Sequence, residues 1–255
     1  MHSLLELHDV EQLLGEAERF SGGNGLVTGV GGFARSILKF SSISVCEVFG
    51  YLLASALGVR VPRMQAVWTR EAVSTNGVDA DPGRIGILVE HHEDWIALRR
   101  EAAVEIDPAE VARALALCVF DRHEWGEFGQ SRGQVYVVDL ERLLPPIQPE
   151  ILLGASDAER VEWLTDLADH YGRTAFSYIL EVIEEADQLG LGDQVDQELR
   201  RLASLRPETY FRFLRIAGHP LDELLSRFAT SVLGRRLNSV AECVDLPTHD
   251  APGWL

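Results

Sequence analysis

The chain has 255 residues, enough to bury a full core as one large domain or as two lobes. A hydrophobic share of 46% and a charged share of 25% are those of an ordinary globular protein. The formal charge of −17 is spread evenly, with 12 basic and 20 acidic residues over 1–139 and 11 and 20 over 140–255. Neither half offers a basic face, which argues against nucleic acid or an anionic membrane as partner.

Residues 8–20 read as a short helix, with Val10, Leu13, Leu14 and Ala17 at helical spacing. A glycine-rich stretch, Ser21-Gly22-Gly23-Asn24-Gly25, follows. Leu26 to Thr28, a turn at Gly29-Val30-Gly31-Gly32 and the run Ala34 to Phe40 predict a hairpin. Ser44 is the expected N-cap of a helix over 45–57, stopped by Gly58. Val59 to Trp68 predicts a strand, 75–84 a loop, and Ile85 to Glu90 a second apolar strand. Asp107-Pro108-Ala109-Glu110 reads as a capping-box start with Val111, Ala114, Leu115, Cys118 and Val119 as the buried stripe. A loop over 121–133 leads to a strand, Gln134 to Asp139, and Pro145, Pro146 and Pro149 mark a break. The rest, 157–242, reads as helices with acidic outer faces. Strands first and helices later predict an α+β fold with two lobes.

Met1-His2-Ser3-Leu4-Leu5-Glu6 turns acidic at once and does not read as a signal peptide. No apolar run reaches the roughly 18 residues of a membrane span. Cys46, Cys118 and Cys243 are odd in number and unclustered, which predicts a reducing, cytoplasmic setting and no zinc site.

Lys39 is the only lysine in the chain; every other basic residue apart from histidine is arginine. A lysine presents a compact ammonium where arginine presents a wide planar fork, so a narrow phosphate clamp would keep the lysine. A composition bias that spared one lysine is the alternative. Along a strand over 34–40, Ile37 and Lys39 share one face, Leu38 and Phe40 the other. Glu47 falls eight positions later in the first helical turn, placed to hold the ammonium or simply to favour the helix N-terminus. Further on, Phe120-Asp121-Arg122-His123 and Val137-Val138-Asp139-Leu140 set two aspartates 18 positions apart. Phosphoryl transfer needs one carboxylate to orient the attacking hydroxyl and another to hold Mg²⁺ against the phosphates.

Asp121-Arg122-His123 followed by a strand ending in Asp139 resembles the catalytic core of the phosphatidylinositol 3- and 4-kinases and the related HipA-like kinases. Residues 38–40, 46–47 and 56–62 are similar to that family's stretch from ATP-binding lysine to the end of the next helix. The likeness spans roughly 25–145. It implies a two-lobed protein-kinase-like fold, with a small β-rich N-terminal lobe over 1–90 and a helical lobe over 91–255. It further implies ATP and Mg²⁺ (or Mn²⁺) as cofactors and transfer of the γ-phosphate to a hydroxyl of a protein, peptide or small molecule. By that likeness Lys39 contacts the phosphates and Glu47 pairs with it. Asp121, Arg122 and His123 form the catalytic loop, Asp139 holds the metal, and Leu88, Val89, Glu90 and His91 meet adenine through their backbone.

One departure stands out: the family pattern puts a metal-binding asparagine where this chain has Gly126. Glu124 or Glu127 substitutes as ligand, or one metal suffices, or phosphoryl transfer is lost and the chain is a pseudokinase. Adenylyl transfer on the same fold is a further outcome. Weaker signals are Gly29, Gly31 and Gly32, as a phosphate-covering turn or an ordinary tight one, and His91-His92-Glu93-Asp94, whose adjacent side chains point apart in a strand.

Overall fold

The computed structural model describes residues 10–21, 24–30, 32–41, 43–103, 106–120, 128–140, 143, 146–172, 176–209, 212, 214–216 and 218–248. Helix α1, Val10–Glu16, is followed at once by strand β1, Glu18–Ser21. The helix expected to reach residue 20 therefore ends early, because β1 gains a ladder partner in β2, Asn24–Thr28. Strand β3, Arg35–Lys39, pairs antiparallel with β2, from Asn24 opposite Lys39 to Thr28 opposite Arg35.

Helix α2, Ser44–Ala56, begins one residue earlier than expected. Ser44 is its first helical residue, not its N-cap; the hydroxyl accepts the Ser41 N–H at 2.9 Å and ties down the approach to the helix. The far end follows expectation: Gly58 is left-handed (φ 78°), with Val59 N–H on Ala54 O and Gly58 N–H on Ser55 O, a Schellman motif.

Strand β4 is only Met64–Trp68, because Pro62 has no N–H for a ladder. A hairpin, β5 (Val73–Thr75) and β6 (Val78–Ala80), overlaps the loop expected over 75–84. Its turn is Asn76-Gly77, both at positive φ, as a two-residue hairpin turn with that dipeptide requires. Asn76 Nδ2 also donates to Leu14 O and Ala17 O, closing the end of α1.

Strand β7, Ile85–Glu90, lies between β3 and β4, giving a five-stranded antiparallel sheet in the order β1-β2-β3-β7-β4. Being central, it is apolar on both faces. Leu88, with Leu38 and Val67, packs toward α1 and the β5–β6 hairpin, while Ile85, Ile87 and Val89 pack into the main core that includes α2.

After the short β8 (Ile96–Ala97) and α3 (Arg100–Ala103) comes α4, Pro108–Leu117. Asp107 caps it by accepting the Ala109 N–H at 2.9 Å, and the expected stripe from Val111 to Val119 is buried. Glu110 pairs with Arg60 at 2.8 Å. Strands β9, Phe128–Ser131, and β10, Gln134–Val137, form a further hairpin through Arg132-Gly133, with β8 on its edge. β10 stops two residues short of Asp139.

Among the described residues five α-helices follow: α5 (Pro149–Gly154), α6 (Asp157–Tyr171), α7 (Phe176–Gln188), α8 (Gly192–Ala203) and α9 (Asp222–Cys243). Pro149 opens α5, where its missing N–H costs nothing. α9 is the buried axis, with Leu225, Phe228, Val232 and Val240 in the core. His219, which had no evident companion in the sequence, is buried against the Trp68 ring. Its Nδ1 accepts the Leu221 N–H at 3.1 Å, and its Nε2 donates to Gly83 O at 2.9 Å. Burial, partly opposed by that bond and by Asp222, pushes its pKa below 6.5 and keeps the ring neutral.

The architecture is mixed α+β with small antiparallel sheets, as expected at that level. Among the described residues no helix is long and apolar enough to cross a membrane.

Candidate functional site

Lys39 ends β3 on the face that carries Ile37, opposite Ile87 of β7. Five residues later the chain enters α2, so Glu47 in the first turn of that helix comes back over the end of the strand. Its carboxylate is buried, and Lys39 Nζ donates to Glu47 Oε1 at 2.7 Å. Asp139 arrives from the other side of the sequence, past the end of β10. Lys39 Nζ donates to its Oδ1 at 2.5 Å, across 100 positions of chain.

The structure thus brings together three of the residues singled out from the sequence. Side-chain exposure rises from 2% at Glu47 through 17% at Lys39 to 53% at Asp139, so the site opens toward solvent at the aspartate. Burial alone would lower the lysine pKa and is the largest single influence. The two carboxylates together outweigh it, leaving the ammonium above its ordinary 10.5 and firmly charged. Its role here is that of a fixed point charge, not of a neutral amine nucleophile.

Two local features place Asp139. It lies at φ 56°, in the left-handed region that aspartate tolerates better than most residues. The next residue, Leu140, rests its backbone against Gly50 of α2, one turn beyond Glu47. A Cβ on Gly50 would run into the Leu140 carbonyl. The glycine inside an otherwise apolar helix was the available signal for this close approach.

Gly50→Ala is therefore expected to destabilise by about 1–3 kcal/mol through overpacking. The same change in an unobstructed helix stabilises by roughly 0.5–1 kcal/mol. Gly15→Ala in α1, where a Cβ meets nothing within 4 Å, is the control. Urea denaturation of both variants checks the opposite signs.

Other expected positions fall differently. Gly29 and Gly32 have positive φ, but their turn lies at the Arg35 end of β3. Lys39 is at the far end, about 13 Å along the strand at ~3.3 Å per residue. The end that meets Lys39 is the β1–β2 end, where Ser21 pairs with Asn24 and Asn24 with Lys39. Gly22 and Gly23, which stand between those strands in sequence, lie outside the described residues. Gly31 lies outside the described residues.

Leu88 and Val89 are inside the central strand, with neighbours on both sides. The N–H of Glu90 donates to Arg63 O at 2.8 Å and that of His91 to Arg35 O at 3.0 Å, so neither is open to a base. The Glu90 carboxylate is held bidentately by Arg63. His92 contacts Ser131, which donates to Asp94, while Glu93 pairs with Arg35. No group of three or more metal-ligating side chains occurs among the described residues.

Asp121, Arg122, His123, Glu124, Gly126 and Glu127, all in one stretch of the chain, lie outside the described residues. The flanks of that stretch are informative. Arg236 of α9, itself buried, donates from Nη1 to Phe120 O at 2.9 Å and to Leu143 O at 2.6 Å, and from Nε to Tyr171 O at 3.0 Å. One guanidinium thus ties the chain just before Asp121 to the chain just after Asp139. Nothing in the sequence around Arg236 distinguishes it from the other arginines of the helical region.

No protein-family model and no curated protein matches this chain.

Proposed function

We propose that the chain is an ATP-dependent phosphotransferase of the atypical kinase type. It would bind ATP with Mg²⁺ or Mn²⁺ around Lys39 and pass the γ-phosphate to a hydroxyl of a protein, peptide or small molecule. The observation that carries this reading is the sole lysine, held by a buried Glu47 eight positions away and a half-exposed Asp139 a hundred positions away. Bound ATP supplies the phosphoryl group, and the divalent ion neutralises its charge.

The chain's own residues divide the remaining work. Glu47, dry and fixed, orients the ammonium. Lys39 presents a compact positive charge suited to phosphate oxygens. Asp139, at the open side, is the carboxylate placed to hold a cation. Asp121 would orient the acceptor hydroxyl, and Arg122 and His123 would brace it, on the strength of the family resemblance alone. In this reading residues 1–90 form the nucleotide-binding lobe and 91–255 the helical lobe. The element order supports it: hairpin, lysine strand, helix, further strands of the same sheet, then helices.

A second reading, a nucleotide-binding or nucleotide-free pseudokinase, is favoured by Gly126 standing where the family has a metal-binding asparagine.

A thermal-shift titration with ATP and either MgCl₂ or MnCl₂ tests the proposal. A ligand selective for the folded state adds about 2.7 kcal/mol at 100 times its Kd, so the midpoint should rise with nucleotide. Asp139→Ala is expected to abolish the metal-dependent part of that rise. Asp121→Ala should leave it and remove turnover. If nucleotide never shifts the midpoint, the binding claim fails; if it does but no ATP is consumed with the genuine acceptor present, the pseudokinase reading stands. AMP left on the acceptor would indicate adenylyl transfer.

A further inference from the structure

A cavity of about 230 Å³ opens between the α2–β4 connection, α4 and β10, and none of Lys39, Glu47 and Asp139 lines it. Val59, Ala114, Val135 and Val137 form its apolar wall. Arg60, Glu110 and Arg113 form the charged one. Arg60 Nη1 donates to Glu110 Oε1 at 2.8 Å, and the same guanidinium stands 5.9 Å from the centre of the Tyr136 ring. Arg113 is held more loosely: Nη1 makes a long bond to Gly58 O at 3.4 Å, and Nε lies 3.5 Å from Glu198 Oε1.

Glu198 is already engaged by Arg201 at 2.6 Å. Two arginines, Arg60 and Arg113, and one glutamate, Glu110, line the cavity, a positive excess in a chain whose net charge is −17. Guanidinium forks at a cavity wall, Arg113 among them only loosely held, suit a carboxylate or phosphate, which can accept two parallel bonds. Size limits the rest of the occupant. Drug-sized sites run to roughly 300–1,000 Å³, while an apolar cavity of roughly 150 Å³ holds one benzene. This cavity has room for one ring-sized body and one acid group.

We propose that it is a binding site for a compact organic anion, a carboxylate or a phosphate monoester. The acid group would sit on Arg60 and Arg113, and the apolar body against Val59, Ala114, Val135 and Val137. This site is independent of the nucleotide reading, since it shares no side chain with the Lys39 cluster.

The test uses the full chain with phenylacetate and phenyl phosphate as probes, and phenylacetamide and inorganic phosphate as controls. Binding is followed by ligand-observed saturation-transfer NMR and calorimetry. One of the two aromatic anions is expected to bind with a Kd of about 1 mM or tighter, and both controls at least about tenfold more weakly. Which anion binds better separates a carboxylate from a phosphate source. Arg113→Gln and Arg60→Gln should each weaken binding about tenfold or more, with melting midpoints near wild type because both side chains are partly exposed. Arg35→Gln, in an exposed pair with Glu93, should bind as wild type does. The proposal is overturned if neither aromatic anion binds, if the neutral amide binds as well as the acid, or if the Arg60 and Arg113 variants bind normally.

Discussion

Lys39→Met is expected to lower folding stability by about 3–5 kcal/mol, because it takes the ammonium away from the buried Glu47 carboxylate. The cost comes from a buried carboxylate that has lost this ammonium more than from the lost ion pair itself. Adding Glu47→Leu to Lys39→Met should therefore recover most of the loss, since an apolar replacement of a buried pair is often neutral. Urea denaturation of wild type, both single variants and the double variant measures the coupling. A loss under about 1 kcal/mol in Lys39→Met would mean that the pair is not held as described.

The pH dependence has a definite sign. The lysine pKa is raised in the folded state, so its contribution is fully present below the ordinary value of 10.5 and fades as pH climbs through the raised value. The gap between wild type and Lys39→Met should be flat through neutral pH and close on the alkaline side. Lys39→Arg keeps the charge but places a planar fork between two carboxylates. It is expected to retain most of the stability while losing any nucleotide-dependent shift.

Arg236→Met should also cost roughly 3 kcal/mol or more, since it strips hydrogen bonds from three carbonyl groups, those of Phe120, Leu143 and Tyr171. Each buried acceptor left unpaired costs about 1–3 kcal/mol. Arg236→Lys keeps the charge, yet a single ammonium cannot span carbonyls that the guanidinium meets through Nε and Nη1, so only part of the loss should be recovered. Hydrogen exchange over 128–140 gives a second readout. If Arg236 fixes the chain that carries Asp139, protection there falls more than in the five-stranded sheet. Equal loss everywhere would reduce the residue to a general structural role.

Some of this was legible in the residues themselves. Lys39 announced itself by being the only lysine, and strand alternation correctly set it on the Ile37 face. Glu47 followed from its offset to the lysine, and Asp139 from an apolar run ending in an acid. These are local signals: composition, period and spacing act over a few residues, and the backbone obeys them because side-chain direction is set by strand and helix geometry. The Asn76-Gly77 turn is equally local, yet the strands flanking it are only three residues each, too short for a period of two to stand out against the loop expected over 75–84.

Register and close approach were not legible. Which turn lies at the Lys39 end of β3 depends on pairing Asn24 with Lys39, and the glycine turn at 29–32 could be placed at the opposite end only once that ladder existed. The short N-terminal helix gave way to β1 because a ladder partner outweighs a weak helical preference. Glycine at 50, the left-handed Asp139 and the reach of Arg236 to Phe120 and Leu143 join elements separated by about a hundred positions. Such contacts depend on how helices and sheets stack. A chain pattern with a period of two or 3.6 residues carries no record of a partner that arrives from so far along the sequence.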